Sequence, residues 1–410
     1  MEEKIVLFED IKDCCGCGAC ANKCPKGAIS MEEDEAGFLY PNIDREKCIE
    51  CGLCVNTCGY KKPHYNKSDE QKSYALSSKD MEVLTKSASG GAFAELAKKY
   101  LKNENAVVYG AASFGRELQW KVKHIRIDNL NEIGKLQGSK YVQSEIGNIY
   151  IDVKKDLSEG RTVLFSGTPC QIDGLYSFLG KDYENLLTID IICHGVPSYR
   201  MYVDFLKNIE KKIGTNIEKF VFRDKSKGQG MISRMDIISK KGNNSIIKKG
   251  ELYSYFYLFL KQHIYRINCY SCPYARRERV SDITLGDFWG FSMLHPEAEH
   301  EYGLTDKKGV SCVLTNTKKG LEAVRSLNES CVIMDSDFEK VSAKNGQLKR
   351  PSTLTEKREI IIAKYVKKGY KGVDEYYYTH FFKDRFKYNL SAIIPMEIKR
   401  KIRTCLGRAK

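Results

Sequence analysis

The sequence predicts an α+β / α/β chain in two parts: a small cysteine-rich module, then a larger mixed α/β domain. Three observations carry this. One cysteine pattern occurs twice within the first 60 residues, helical periodicity alternating with short β-branched runs begins near residue 87, and 410 residues exceed what one compact core usually holds.

Composition narrows the class further. Hydrophobic residues make up 42% and charged residues 29%, ordinary values for a globular protein, and no apolar run approaches the roughly 20 residues of a membrane-spanning helix. The first ten residues, MEEKIVLFED, lack the basic start and long apolar stretch of a secretory signal, so a cytoplasmic location is expected. Sixteen cysteines in such a reducing compartment point to metal or redox chemistry rather than disulfides. Formal net charge is +14, and residues 341–410 hold 18 Lys+Arg against 6 Asp+Glu, whereas residues 1–67 hold 9 against 12. The two ends therefore differ in electrostatic character.

Cys14, Cys17, Cys20 and Cys24 read C-x2-C-x2-C-x3-C before Pro25, and Cys48, Cys51, Cys54 and Cys58 repeat the pattern 34 residues later. This is the run of a bacterial-type 2[4Fe-4S] ferredoxin, in which three close thiolates hold one cube and the fourth reaches across to the other. Cys14, Cys17, Cys20 and Cys58 are thus assigned to one cluster, and Cys48, Cys51, Cys54 and Cys24 to the second. Zinc knuckles are the alternative, but zinc sites use four ligands in two pairs, not eight in matched quartets. Cys15 has no place in the pattern and reads as a spare thiol; Gly59 replaces the proline after Cys58. Gly37 to Pro41 reads as strand and turn.

The domain limits follow: 1–65 ferredoxin-like, 66–86 a polar linker, 87–330 the larger domain, and 331–410 a basic helical C-terminal extension. In the larger domain, Phe93, Leu96, Ala97 and Tyr100 share a helix face, and strands are expected at 106–110, 162–165, 187–193, 220–223, 282–285 and 310–316. Ser87-Ala88-Ser89-Gly90-Gly91, at a helix start, offers hydroxyls and free amides to an anion, or is simply a cap. Lys135 to Tyr141 is a second such loop, or a surface turn. Cys170 opens a helix after one strand, Cys193 ends another, and Cys269 and Cys272 form C-x2-C before Pro273. These four suit a third iron–sulfur cluster, a zinc site, or two buried thiols and an unrelated pair. Cys312, Cys331 and Cys405 read as packing or surface thiols, His194 as a structural histidine, and Trp289 as core.

Taken in order, the double cysteine motif, Ser87 to Gly91, Gln137-Gly138-Ser139-Lys140-Tyr141, Gly167-Thr168-Pro169-Cys170-Gln171, Cys193-His194-Gly195, Cys269-x2-Cys272-Pro273 and Gly286-Asp287-Phe288-Trp289-Gly290 resemble the beta subunit of coenzyme F420 hydrogenase/dehydrogenase. The resemblance covers roughly residues 10–320. It implies a flavin- and cluster-binding larger domain with FAD beside a 4Fe-4S cluster, moving a hydride between flavin and a deazaflavin coenzyme; related members reduce other substrates, chlorophyll intermediates among them. By the same resemblance, Cys170, Cys193, Cys269 and Cys272 become ligands of a third cluster. Ser87, Ser89, Gly90, Gly91, Gln137, Gly138, Ser139 and Tyr141 become flavin contacts. Neither a catalytic residue, nor the hydride partner, nor the direction of electron flow is fixed by it. Expected partners are a ferredoxin or other redox protein and a small hydride donor or acceptor. A non-catalytic electron-transfer subunit that docks a partner reductase is the alternative.

Residues 381–410 interleave aromatic and aliphatic side chains with Lys and Arg, which suits an anionic membrane surface, an acidic partner or a solvated helix. Nucleic-acid binding is disfavoured, because no base-reading motif accompanies the basic tail.

Overall fold

A computed structural model describes residues 5–66, 68–226, 228–239 and 242–393. Its N-terminal module is a hairpin of β1 (Ile29–Glu33) and β2 (Leu39–Ile43), paired antiparallel, with two short helices, Ala19–Lys23 and Leu53–Asn56. Each helix follows a glycine, Gly18 or Gly52, lying between cysteines of a quartet.

The larger domain is built on eight strands: β3 (Lys72–Ser78), β4 (Ala106–Ser113), β5 (Val122–Ile127), β6 (Thr162–Gly167), β7 (Leu186–Ile191), and, after a separate antiparallel meander of β8 (Asn216–Val221), β9 (Ile232–Ser239) and β10 (Gly242–Lys249), also β11 (Ile283–Asp287), β12 (Ser311–Thr315) and β13 (Cys331–Ser336). Their order is β13-β3-β12-β11-β7-β6-β4-β5. Neighbours are parallel from β4 through β6 and β7 to β11, and antiparallel elsewhere. β7 and β12 are buried along nearly their whole length and β6 along its middle, as a sheet covered on both faces requires.

The module rests on this sheet's helices. Asn22 donates to the Gly147 carbonyl at 2.7 Å, Lys23 to that of Phe178 at 2.9 Å and Thr57 to that of Ser177 at 2.8 Å. The contact is close enough that a Cβ on Gly174, in the Pro169–Leu179 helix, would stand 3.0 Å from the Cys17 sulfur.

Two expectations need correction. The segment 66–86 is not a linker: β3 pairs with β12 and β13, and the Met81–Lys86 helix follows it. The larger domain also does not stop at 330, because β13 completes its sheet. The extension beyond is helical, with Glu356–His380 burying Ile361, Tyr365, Tyr370, Val373 and Tyr377 in an aromatic core with Ser254–Leu260, and Phe382–Ile393 after it. The last residues of the basic tail, 394–410, and with them Cys405, lie outside the described residues. Among the described residues no helix is long and apolar enough to cross a membrane.

Candidate functional site

The eight module cysteines gather in the crossed pattern that the spacing implies. Cys20 lies within electrostatic reach of Cys17, Cys14 and Cys58, which binds the last cysteine of the second run to the first three of the first. Cys54 lies likewise beside Cys24 and Cys48, and one small cavity is lined by Cys24, Cys48, Cys51 and Cys54 with Ile29, Ile43 and Leu53. Backbone amides aim at the sulfurs: Gly16 at Cys14, Ala19 at Cys17, Ala21 at Cys20, Tyr60 and Lys61 at Cys58, and Ala28 at Cys24, the last at 3.3 Å. Amides placed this way stabilise thiolates bonded to iron. We call the Cys14 quartet inner and the Cys24 quartet outer, since Cys51 is exposed and the inner quartet abuts the Pro169–Leu179 helix.

The four cysteines of the larger domain also converge. Cys193 senses Cys269, Cys170 and Cys272, although 99 residues separate Cys170 from Cys269. The sheet does this: Cys170 starts the helix after β6, Cys193 follows β7, and Cys269 and Cys272 sit on a 3-10 turn, Ile267–Ser271, and just past it. Gly195, Val196 and Tyr274 amides point at Cys193, Cys269 and Cys272. Thr168 caps the helix and its hydroxyl stands 3.2 Å from the Cys170 sulfur, at a helix terminus that favours a thiolate. Burial pushes the Cys269 and Cys272 thiols up to about 12, so their ionised forms need a compensating positive charge such as iron provides. Among the described residues, no three His, Cys, Asp or Glu side chains close on a single metal ion.

Cys15 departs from the sequence reading. It is buried, and its thiol lies within electrostatic reach of both Cys17 of the inner quartet and Cys170 of the third. Nothing in its spacing signals this, because its second partner is 155 residues away.

The two small-residue loops meet at the carboxyl ends of the parallel strands, where open α/β sheets bind ligands. Gln137 donates to the Ser87 hydroxyl at 3.1 Å. Ser89 and Gly90 are committed elsewhere: the Ser89 hydroxyl donates to the Val310 carbonyl at 2.7 Å, and the Gly90 amide to the Ser311 hydroxyl at 3.0 Å. Gly91, with φ 87°, caps the Ala92–Leu101 helix. Gly138 is exposed with open space around it, and Ser139 is half-buried next to it. The Tyr141 ring packs on Phe256 and Phe259.

Sequence reasoning missed the group that joins these loops. Arg223, with 1% of its side chain exposed, donates to Asp287 at 2.9 Å, to the Tyr141 hydroxyl at 3.2 Å and to the Ala88 carbonyl at 3.3 Å, and faces the Trp289 ring at 5.1 Å. Gln229 donates to the same Ala88 carbonyl and to Asp287. Lys225 donates to the Leu84 and Ser89 carbonyls, and burial holds its pKa down to about 8. His194 is lowered by burial too, opposed by the charge of Asp287. A separate groove of about 1150 Å³ runs along the seam of module and larger domain, bordered by Cys58, His64, Tyr65, Tyr176 and Thr317.

A ferredoxin-type module seated on an α/β domain with a further cysteine quartet defines the class of iron–sulfur electron-transfer proteins. Residues 13–62 match the family of 4Fe-4S dicluster domains, and residues 160–340 match the family described as the C terminus of the coenzyme F420 hydrogenase/dehydrogenase beta subunit. A coenzyme F420-dependent sulfite reductase of Methanocaldococcus jannaschii is 27% identical over 255 residues, which cover 56% of this chain and 38% of that protein. An iron-sulfur chain of the CoB--CoM heterodisulfide reductase from the same organism is 34% identical over 82 residues, 17% of this chain and 12% of that one. An uncharacterized ferredoxin, also from M. jannaschii, is 37% identical over 54 residues, 13% of this chain and 69% of its own. The match thus spans well under half the length of either reductase protein. A chain in the structure of the F420-reducing [NiFe] hydrogenase complex from Methanosarcina barkeri aligns over 74% of this chain and 94% of its own, with a TM-score of 0.41 and 16% identity. The chain is an iron–sulfur protein related to coenzyme F420-dependent oxidoreductases.

Proposed function

We propose that the chain is an oxidoreductase that passes electrons between three 4Fe-4S clusters and an organic hydride donor or acceptor through FAD, with a deazaflavin of the coenzyme F420 type as the first substrate to test. The observation that carries this is the closeness of the quartets: a Cβ on Gly174, four residues past Cys170, would stand 3.0 Å from the Cys17 sulfur, and the buried Cys15 thiol lies within electrostatic reach of both Cys17 and Cys170. Cys170, Cys193, Cys269 and Cys272 would hold the third cluster. The residues fit a flavin at the joined loops, with Gln137, Gly138 and Ser139 facing it, Arg223 and Lys225 supplying positive charge, and Ser89 and Gly90 fixing the loop to β12. Bound FAD would supply the exchange of a two-electron hydride for single electrons. Arg223 and Asp287 hold the loops in register.

At the other end, exposed Cys51 lies between exposed Ile49 and Leu53, an apolar rim at which a ferredoxin or other redox protein would dock. The test uses the full chain, purified anaerobically and loaded with FAD. It should oxidise reduced coenzyme F420 with a viologen as one-electron acceptor, and release FAD on denaturation. Full iron content with no flavin binding and no turnover would instead favour the second reading, a non-catalytic electron-transfer subunit, which the exposure of Cys51 also suits.

A further inference from the structure

Arg266 is completely buried and, among the described residues, has no carboxylate partner. Its Nε donates to the Cys14 carbonyl at 3.0 Å, one terminal nitrogen stands 3.7 Å from the Cys14 sulfur, and the other finds no partner at all. The guanidinium lies 3.9 Å from the Tyr40 ring centroid. A Cβ on residue 16 would sit 3.1 Å from its free nitrogen, so Gly16 is what lets it approach. The backbone of the same residue serves the third quartet: its carbonyl accepts the Cys269 amide at 3.0 Å. A guanidinium stripped of water is retained only where negative charge of some kind faces it. Besides the Tyr40 and Phe38 rings, the group that faces it is the Cys14 sulfur, 3.7 Å from one terminal nitrogen. Among the described residues the outer quartet has no counterpart. Arg45 and Lys47 near it are exposed and paired with Glu50 and Asp44, and Lys26 is exposed, so water screens all three.

We propose that Arg266 is the counter-cation of the inner cluster, raising its reduction potential above that of the outer cluster, so that electrons entering the module come to rest at the junction with the third site. This rests on the reading of the cysteines as cluster ligands. Each step is a one-electron exchange in which the outer cluster is oxidised and the inner reduced; no bond breaks and no proton moves. Arg266 acts through charge, as a tuning residue.

The test is an anaerobic redox titration of the full chain followed by electron paramagnetic resonance. In the otherwise unaltered protein, Cys51→Ser changes the spectrum of the outer cluster, and the signal it changes should be the one of lower potential. Arg266→Gln should shift the inner cluster by tenfold or more in its reduced-to-oxidised ratio, about 59 mV for one electron, and leave the outer unmoved. Arg266→Lys, which keeps the charge but not the planar fork, should shift the inner cluster less than Arg266→Gln does. The proposal is overturned if Cys51→Ser alters the higher-potential signal, or if Arg266→Gln leaves both potentials in place with the iron intact. A native chain with no 4Fe-4S signal would instead overturn the ligand reading itself. Should Arg266→Gln not fold, the Cys51→Ser result decides alone.

Discussion

On the proposed reading of the cysteines, the module and the larger domain assemble the same kind of site by opposite means. In the module, ligands three residues apart wrap a cube almost unaided, and only Cys24 and Cys58 cross over. In the larger domain, the ends of β6 and β7 and a distant turn must be brought together by the whole sheet. Local spacing makes a site robust to change elsewhere, whereas a site built on tertiary structure inherits the stability of its fold. Damage to the sheet should therefore separate the two.

The largest such effect is expected at Arg279. Its pair with Asp190, at 2.9 Å with 2% and 0% of the side chains exposed, is joined by a 2.7 Å bond to the Tyr274 carbonyl beside Cys272. Arg279→Met leaves Asp190 buried and uncompensated, which should cost about 3–5 kcal/mol in denaturant unfolding. The third site should lose its iron while the module keeps its own; equal loss from both would break the distinction.

Gly90→Ala is next. A Cβ there meets the Leu76 carbonyl at 2.1 Å and the Ser311 amide at 2.6 Å, so β3 and β12 must part, costing about 1–3 kcal/mol. Flavin retention should fall with it, and module iron should not.

A smaller effect follows from His124, stacked on Phe165 and hydrogen-bonded to the Ser166 carbonyl and the Ser144 hydroxyl. Burial lowers it to about 4 from an ordinary 6.5. The unfolded chain therefore takes up a proton that the folded chain refuses, and stability falls as pH drops below 6.5, by about 1 kcal/mol between 6.5 and 5.5. In His124→Asn, chemical unfolding at those two pH values should differ by that much less; an unchanged difference would assign the slope to other groups.

What the sequence reveals follows the same divide. The eight module cysteines are legible because their chemistry is written in spacing, and Cys170 and Cys193 because each follows an apolar run that reads as a strand. β3 is not legible: Lys72, Ser73, Ser77 and Ser78 make it look like a polar linker, yet it is buried between β12 and β13, more than 230 residues away. β13 instead begins with the apolar run Cys331 to Met334 and falls just past the limit expected for the larger domain. Cys15 and Arg266 look like a surplus thiol and an ordinary surface charge, because their roles come from contacts across the chain. Arg223, at the end of a recognised strand, gave no sign that its partners would be Asp287 and the Ala88 loop.

Iron per chain, measured on anaerobically purified protein and on its Cys193→Ala variant, bears most directly on the claim that twelve cysteines form three neighbouring clusters. About twelve irons are expected in the first and about eight in the second, four for each intact quartet. Eight in both, or zinc in place of the missing four, would contradict it.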